Sequence, residues 1–176
     1  MRILISWTGS RREPFIVRAG ALLPGAHLQL LRDSKYRGQF DAHYLLAVPQ
    51  TLEDAEQIVG ALAEVDGAPP TEVRVLQMLD PTDHNEIFYA LAPFLEWLHT
   101  EHEGAEFFVM LNTGTPQMQT LWVLLKTLGL FDAKILQTSP APLAQESGTP
   151  EVREFTPNIA EWRQLMRPNV RRPEIK

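Results

Sequence analysis

The stretch AEFFVMLNTGTPQMQTLWVLLKTLG, residues 105–129, decides the fold. Its first part, AEFFVML (105–111), is a short apolar run suited to a strand buried on both faces. Its last part, QTLWVLLKTLG (119–129), is long and apolar enough for a packed helix, with Gly129 where a C-cap belongs. Between them, NTGTPQM (112–118) supplies a turn at Gly114, an N-cap at Thr115 and a proline, Pro116, at the first helical position. A plain connection needs a turn and a cap. Asn112, Thr113 and Gln117 are polar groups beyond that need.

Outward from this unit the same alternation continues. Upstream, RILIS (2–6) reads as a buried strand and WTGSRREP (7–14) as the loop leaving it. Residues 15–31 are ambiguous because Gly20, Pro24 and Gly25 interrupt them, and GAHLQLLRDS (25–34) is expected to form a first helix. AHYLLAV (42–48) is a second strand and TLEDAEQIVGALAEV (51–65) a second helix, with Thr51 and Asp54 at capping-box spacing. After the turn GAPP, EVRVLQM (72–78) is a third strand. DPTDHNEIFYALAPFLEWLHTEHE (80–103) carries a helix with Asp83 as N-cap, Glu86 as its box partner and Pro93 as a possible kink point.

Downstream, AKILQT (133–138) is a fifth strand and SPAPLAQESGTP (139–150) a loop. EVREF (151–155) is an extra edge strand and residues 158–166 a final short helix. Strands alternating with helices imply an α/β fold: a doubly wound, mainly parallel, Rossmann-like sheet with helices on both faces. Residues 1–157 form one ligand-sensing domain on this reading, and residues 158–176 a short helix and linker-like tail.

Bulk composition agrees with one globular domain. The chain has 176 residues, 44% of them hydrophobic and 22% charged. There is no cysteine, which excludes disulfides and thiolate-bound metal. No apolar run is long enough to span a bilayer and no signal-peptide core opens the chain, so a cytoplasmic location without membrane partners is expected. A net charge of −6 excludes coating of nucleic acid by bulk charge but leaves room for a local basic pocket. Arg2, Arg11, Arg12 and Arg18 cluster near the amino end, against Glu13 alone; Arg163, Arg167, Arg171 and Arg172 belong to a solvated tail.

In such a sheet the loops leaving the carboxyl ends of the strands share one edge, and ligands bind there. With strand order 3-2-1-4-5, the first and fourth strands are neighbours. Trp7, Thr8, Gly9, Ser10, Arg11 and Arg12 would then face Asn112, Thr113, Gly114, Thr115, Pro116, Gln117 and Met118 across one crevice, with Gln50, Gln137 and Thr138 on the same edge. Amides at the helix start beginning near Thr115 attract an anion, and Arg11 and Arg12 add charge-assisted bonds to phosphate. The pattern suits a phosphate-bearing ligand, with no cofactor and no metal. A tight turn with a good cap is the competing reading of the same residues.

Other candidates weigh less. His99 and His102, beside Glu101 and Glu103, fit a solvated helix end better than a metal site. Asp83 of the Asp80–Asp83 pair is already used as a cap. Trp97, Trp122 and Phe88 sit at helical spacing and read as core. Trp7 either stacks on a base or plugs the sheet edge, and the residues favour neither.

At these loops the sequence resembles the CARF (CRISPR-associated Rossmann fold) domains, and most of all the amino-terminal sensor domains of the sigma-54 activators that control RNA repair. NTGTPQM, the TGS after the first strand, LDPTDHNEIFYAL (79–91) and AKILQTSP (133–140) carry the likeness, which covers about residues 1–155. The resemblance implies a homodimer whose carboxyl-end loops form a shared pocket. It implies a cyclic oligoadenylate ligand in the CRISPR branch, or an RNA end carrying a 2′,3′-cyclic phosphate in the repair branch. Thr8, Gly9, Ser10 and Arg11 would make one set of contacts, and Asn112, Thr113, Gly114, Thr115 and Gln117 the other. CRISPR sensors often carry a basic residue after the glycine of the second motif; Pro116-Gln117 stand here instead. Relatives carry an effector, and RPNVRRPEIK (167–176) reads as the start of a linker; an excised sensor and a freestanding protein both remain open.

Three functions compete at this point. The leading one is a non-catalytic oligonucleotide sensor with a fused or separate effector. A second is a metal-independent ring nuclease, in which Ser10, Arg11, Arg12 and Thr115 would align a ribose 2′-hydroxyl with the adjacent phosphate. No histidine falls in the carboxyl-end loops, His84 being nearest, which ranks cleavage second. A third is a domain that only mediates dimerisation.

Overall fold

The computed structural model describes residues 1–9, 13–18, 20–139 and 151–165. Ser10, Arg11 and Arg12 of the expected site, most of the 139–150 loop and the tail beyond 165 lie outside the described residues.

Six strands form the main sheet: β1 (Arg2–Trp7), β4 (Ala42–Ala47), β5 (Thr71–Val75), β6 (Glu106–Met110), β7 (Ala133–Thr138) and β8 (Val152–Phe155). Their order is β5-β4-β1-β6-β7-β8. All pairings are parallel except β7 with β8, so the first five core strands run in the expected 3-2-1-4-5 order and EVREF supplies the antiparallel edge. β1, β4 and β6 are buried almost throughout, as continuous apolar strands of a covered parallel sheet must be. Along β1 the side chains alternate between two cores. Ile3, Ile5 and Trp7 pack under α3 (His84–Glu101) and α4 (Pro116–Thr127), and Leu4 packs under α1 (Ala26–Leu31) and α2 (Leu52–Ala63). The sheet is therefore doubly wound.

Three local expectations change and one holds. Residues 15–24 form a separate antiparallel hairpin, β2 (Phe15–Arg18) and β3 (Ala21–Pro24), ahead of α1, where the sequence pattern was broken by its own turn glycine, Gly20. Thr51 does not cap α2. Pro49–Thr51 forms a 3-10 turn first, and Thr51 Oγ1 closes that turn on the Val48 amide and carbonyl, 3.2 Å each. Asp83 caps α3 by accepting the Asn85 and Glu86 amides, but Glu86 reaches back to the Leu79 and Asp80 amides at 2.8 Å, beyond its expected partner. The last helix, α5 (Ile159–Leu165), falls inside its expected bounds. Among the described residues no helix is long and apolar enough to cross a membrane.

Candidate ligand-binding site

The loops leaving β1 and β6 meet at the carboxyl edge, where Gly114 lies directly on Trp7. Gly114 has φ +80°, and a Cβ there would stand 2.8 Å from Trp7 Cβ and 2.9 Å from Met118 Sδ. Glycine alone permits both the dihedral and the approach. Thr115 then caps α4. Its Oγ1 accepts the Met118 amide at 3.2 Å and donates to the Pro81 carbonyl at 2.9 Å, joining the β6–α4 loop to the β5–α3 loop. The Pro81 turn is held by Asp80, whose carboxylate accepts the Thr82 amide and hydroxyl at 2.8 and 2.6 Å. Those bonds keep the Asp80 carboxyl below its usual range.

Beneath this roof is a cavity of about 230 Å³ lined by Trp7, Thr8, Leu46, Val48, Thr51, Pro81, Gly114, Thr115, Pro116 and Met118. The walls are mostly apolar and none of these side chains is charged. Thr8 Oγ1 donates to the Leu46 carbonyl at 3.0 Å, so its proton faces the sheet. Trp7 is 1% exposed, 6.4 Å from Trp122 ring to ring, and plugs the sheet edge as the cavity floor. Its Nε1 is buried without a hydrogen-bond partner among the described residues, as is Oε1 of Gln117, which is not one of the residues lining the cavity.

The expected residues divide accordingly. Trp7, Thr8, Gly114, Thr115, Pro116 and Met118 come together around the cavity. Asn112 is turned to β7, where its Oδ1 accepts the Thr138 amide at 2.6 Å. Thr113 is buried over the Met110 carbonyl, and Gln137 accepts from Arg153 at 2.9 Å. Gln50 is exposed on the 3-10 turn, and Gly9 packs against Glu13. Leu46, Val48, Thr51 and Pro81 were not anticipated. The only signal for them was position, at strand ends on the same edge.

The remaining candidates have plain structural roles, and His99 is exposed near the end of α3, as expected of a solvated helix end. His99 meets the rings of Phe107 and Phe131, each 5.4 Å away, while His102 bonds the Tyr44 hydroxyl at 2.7 Å. Trp122 is buried, and Phe88 and Trp97 pack against the same core.

Comparison with known proteins places this geometry. The fold matches that of Enterococcus italicus Csm6 bound to cyclic hexa-2′-fluoro-hexa-dAMP, with a TM-score of 0.70 at 18% identity, over 94% of this chain and 43% of that one. At that identity the likeness is one of fold, and this chain spans less than half of the Csm6 chain. A search of curated proteins finds no match. LDPTDHNEIFYAL, NTGTPQM and AKILQTSP fall within residues 29–165, and those residues match the family model RtcR, Regulator of RNA terminal phosphate cyclase; the chain belongs to that family.

Proposed function

We propose that the chain is a sensor module that binds an adenylate-containing oligonucleotide, either cyclic or ending in a 2′,3′-cyclic phosphate, and relays binding to an effector. The observation that carries this reading is the apolar cavity at the sheet switch point, roofed by the start of α4. At about 230 Å³ it is smaller than the ~300–1,000 Å³ of sites that enclose a whole drug-sized ligand. One base fits that description, with the sugar-phosphate chain lying outside it along the α4 amides and Gly9. The family favours a phosphate-bearing RNA end, and the molecule bound in the Csm6 structure favours a ring.

The module works as a homodimer on this proposal. Phe15, Val17 and Leu22 leave 41%, 76% and 67% of their surface exposed on the β2–β3 hairpin, apolar area that a second copy would cover. Sensing is favoured over ring cleavage because, among the described residues, no titratable side chain lines the cavity and the Thr115 hydroxyl proton is already given to Pro81.

Calorimetry tests the reading with cyclic tetra- and hexa-adenylate and with oligoadenylate ending in a 2′,3′-cyclic phosphate or a free 3′-hydroxyl. Binding of one phosphate form, weakened by about 1–3 kcal/mol in Thr115→Ala or Arg11→Ala, is the expected result. No heat from any of them would remove the sensor reading. Recovery of linear product from a bound ring, without metal, would promote cleavage above it.

A further inference from the structure

Under α1 and α2 three polar side chains are buried together. Ser6 on β1, His27 on α1 and His43 on β4 are each 0% exposed. Ser6 Oγ lies 2.9 Å from His27 Nε2 and 2.8 Å from His43 Nε2. His43 Nδ1 lies 3.1 Å from Thr71 Oγ1, which is itself 3.2 Å from the Pro69 carbonyl. At the other end, His27 Nδ1 stands 3.4 Å from Glu13 Oε2, and Glu13 Oε1 accepts the Ala26 amide at 2.5 Å.

Proton counting gives this chain of contacts a direction. A carbonyl only accepts, so Thr71 donates its single hydroxyl proton to Pro69. His43 must then donate from Nδ1 to Thr71. Burial, and after it the nearby His27, hold His43 well below the ordinary imidazole range, so it is neutral and its Nε2 is an acceptor. Ser6 therefore donates to His43, which uses its only proton, and His27 donates from Nε2 to Ser6. What remains is His27 Nδ1 opposite the Glu13 carboxylate. If His27 were neutral, two buried acceptors would face each other, an arrangement that costs free energy with no return. One additional proton on Nδ1 turns the contact into an ion pair. Its 3.4 Å separation is that of a close pair without an aligned hydrogen bond, consistent with both atoms lacking a hydrogen-bond partner among the described residues.

Glu13 is also wedged against the chain that leaves β1. A Cβ on Gly9 would stand 2.7 Å from Glu13 Cγ, and one on Gly25 would overlap Glu13 Oε2 and lie 2.8 Å from the Pro14 carbonyl. The Gly25 amide donates to that carbonyl at 2.7 Å. The exit of β1, the start of β2 and the start of α1 thus close around one carboxylate.

We propose that His27 and Glu13 are positioning residues for the ligand site: an imidazolium–carboxylate pair, ending a one-way relay through Ser6, His43 and Thr71, fixes the backbone at Gly9. The claim rests on the reading above that Gly9 and its neighbours meet the ligand. Among the described residues, the titratable groups facing His27 are Glu13, ahead of β2, and His43, on β4.

Nitrogen NMR of the histidine rings in the intact protein at neutral pH tests the relay without any ligand. Both ring nitrogens of His27 protonated, with His43 neutral and protonated on Nδ1, is the expected result. A neutral His27, or a His43 proton on Nε2, overturns it. Calorimetry with cyclic hexa-adenylate and with the 2′,3′-cyclic-phosphate strand then tests positioning. Glu13→Ala should bind about tenfold more weakly than wild type, with a shifted Gly9 amide resonance, and Glu13→Gln, whose amide can donate to the imidazole, should restore most of the binding. Wild-type affinity with an unmoved Gly9 resonance in a folded Glu13→Ala, or no recovery in Glu13→Gln, overturns positioning. Should wild type bind neither probe, the sensor reading falls and positioning with it, while the ring-nitrogen states still decide the relay. A Glu13→Ala chain that does not fold leaves the decision to Glu13→Gln and to the wild-type rings.

Discussion

Gly114 and Gly60 carry opposite consequences for the same substitution. At Gly114 the backbone is left-handed, φ +80°, and an added methyl would overlap Trp7 and Met118. The dihedral alone costs an L-residue roughly 1–2 kcal/mol, and overlap with a buried indole adds to it. Gly60 lies within α2, and a Cβ there meets nothing within 4 Å. Alanine in that helix interior recovers roughly 0.5–1 kcal/mol of backbone entropy. Urea unfolding should therefore show Gly114→Ala less stable by about 2 kcal/mol or more, and Gly60→Ala more stable than wild type. A Gly114→Ala protein of unchanged stability would mean that the β6–α4 loop does not rest on Trp7. Thr115 adds a second residue-scale point. Its hydroxyl both caps α4 and holds Pro81, so Thr115→Ala should lose stability as well as ligand, whereas Arg11→Ala, read as a ligand contact alone, should lose ligand only.

At the scale of elements, helix caps separate what was legible from what was not. Asp83 was readable because an acid ahead of an amphipathic run has one common use, and its Oδ1 does take the Asn85 and Glu86 amides at 2.7 and 3.0 Å. Asp83→Ala should cost about 1 kcal/mol and lower Tm by roughly 2–4 °C, measured by calorimetric melting. An unchanged Tm would show that α3 is held by its packing of Ile87, Leu91, Phe94 and Leu98 alone. Thr51 misled because a capping-box spacing does not reveal a 3-10 turn starting at Pro49 ahead of it. The long buried strands were plain from their apolar runs. The β2–β3 hairpin was not, since four-residue strands around Gly20 present too short a pattern to separate from a broken helix.

Across the whole molecule, the part of the candidate site on the β1 and β6 loops was legible and the part on the neighbouring strand ends was not. NTGTPQM stood out because it exceeded the needs of a turn, but Leu46, Val48 and Pro81 resemble any apolar residue at a strand end. The Ser6–His27–His43 cluster was hidden for a related reason: its members lie 21 and 37 residues apart, and only the parallel pairing of β1 with β4 brings them together. That cluster gives the molecule its acid response. His43 is held well below its ordinary range by burial first and by His27 second. Between its folded value and the unfolded value of about 6.5, the unfolded chain binds more protons than the folded one, so stability rises with pH across that window. The contribution is complete above about pH 6.5 and is lost as pH falls below it, at no more than about 1.4 kcal/mol per pH unit. The carboxyls of Asp80, Glu106 and Asp132 are shifted down, by Thr82, Lys134 and Lys126 respectively, and lose their contributions only below their own ordinary values, 3.8, 4.5 and 3.8. Urea unfolding at pH 6 and 5, both below the unfolded histidine value, should therefore show wild type less stable at the lower pH. His43→Gln, which keeps a donor and an acceptor but cannot take up the proton in the unfolded chain, should show a smaller difference. Equal differences in the two proteins would mean that His43 is protonated in the folded state.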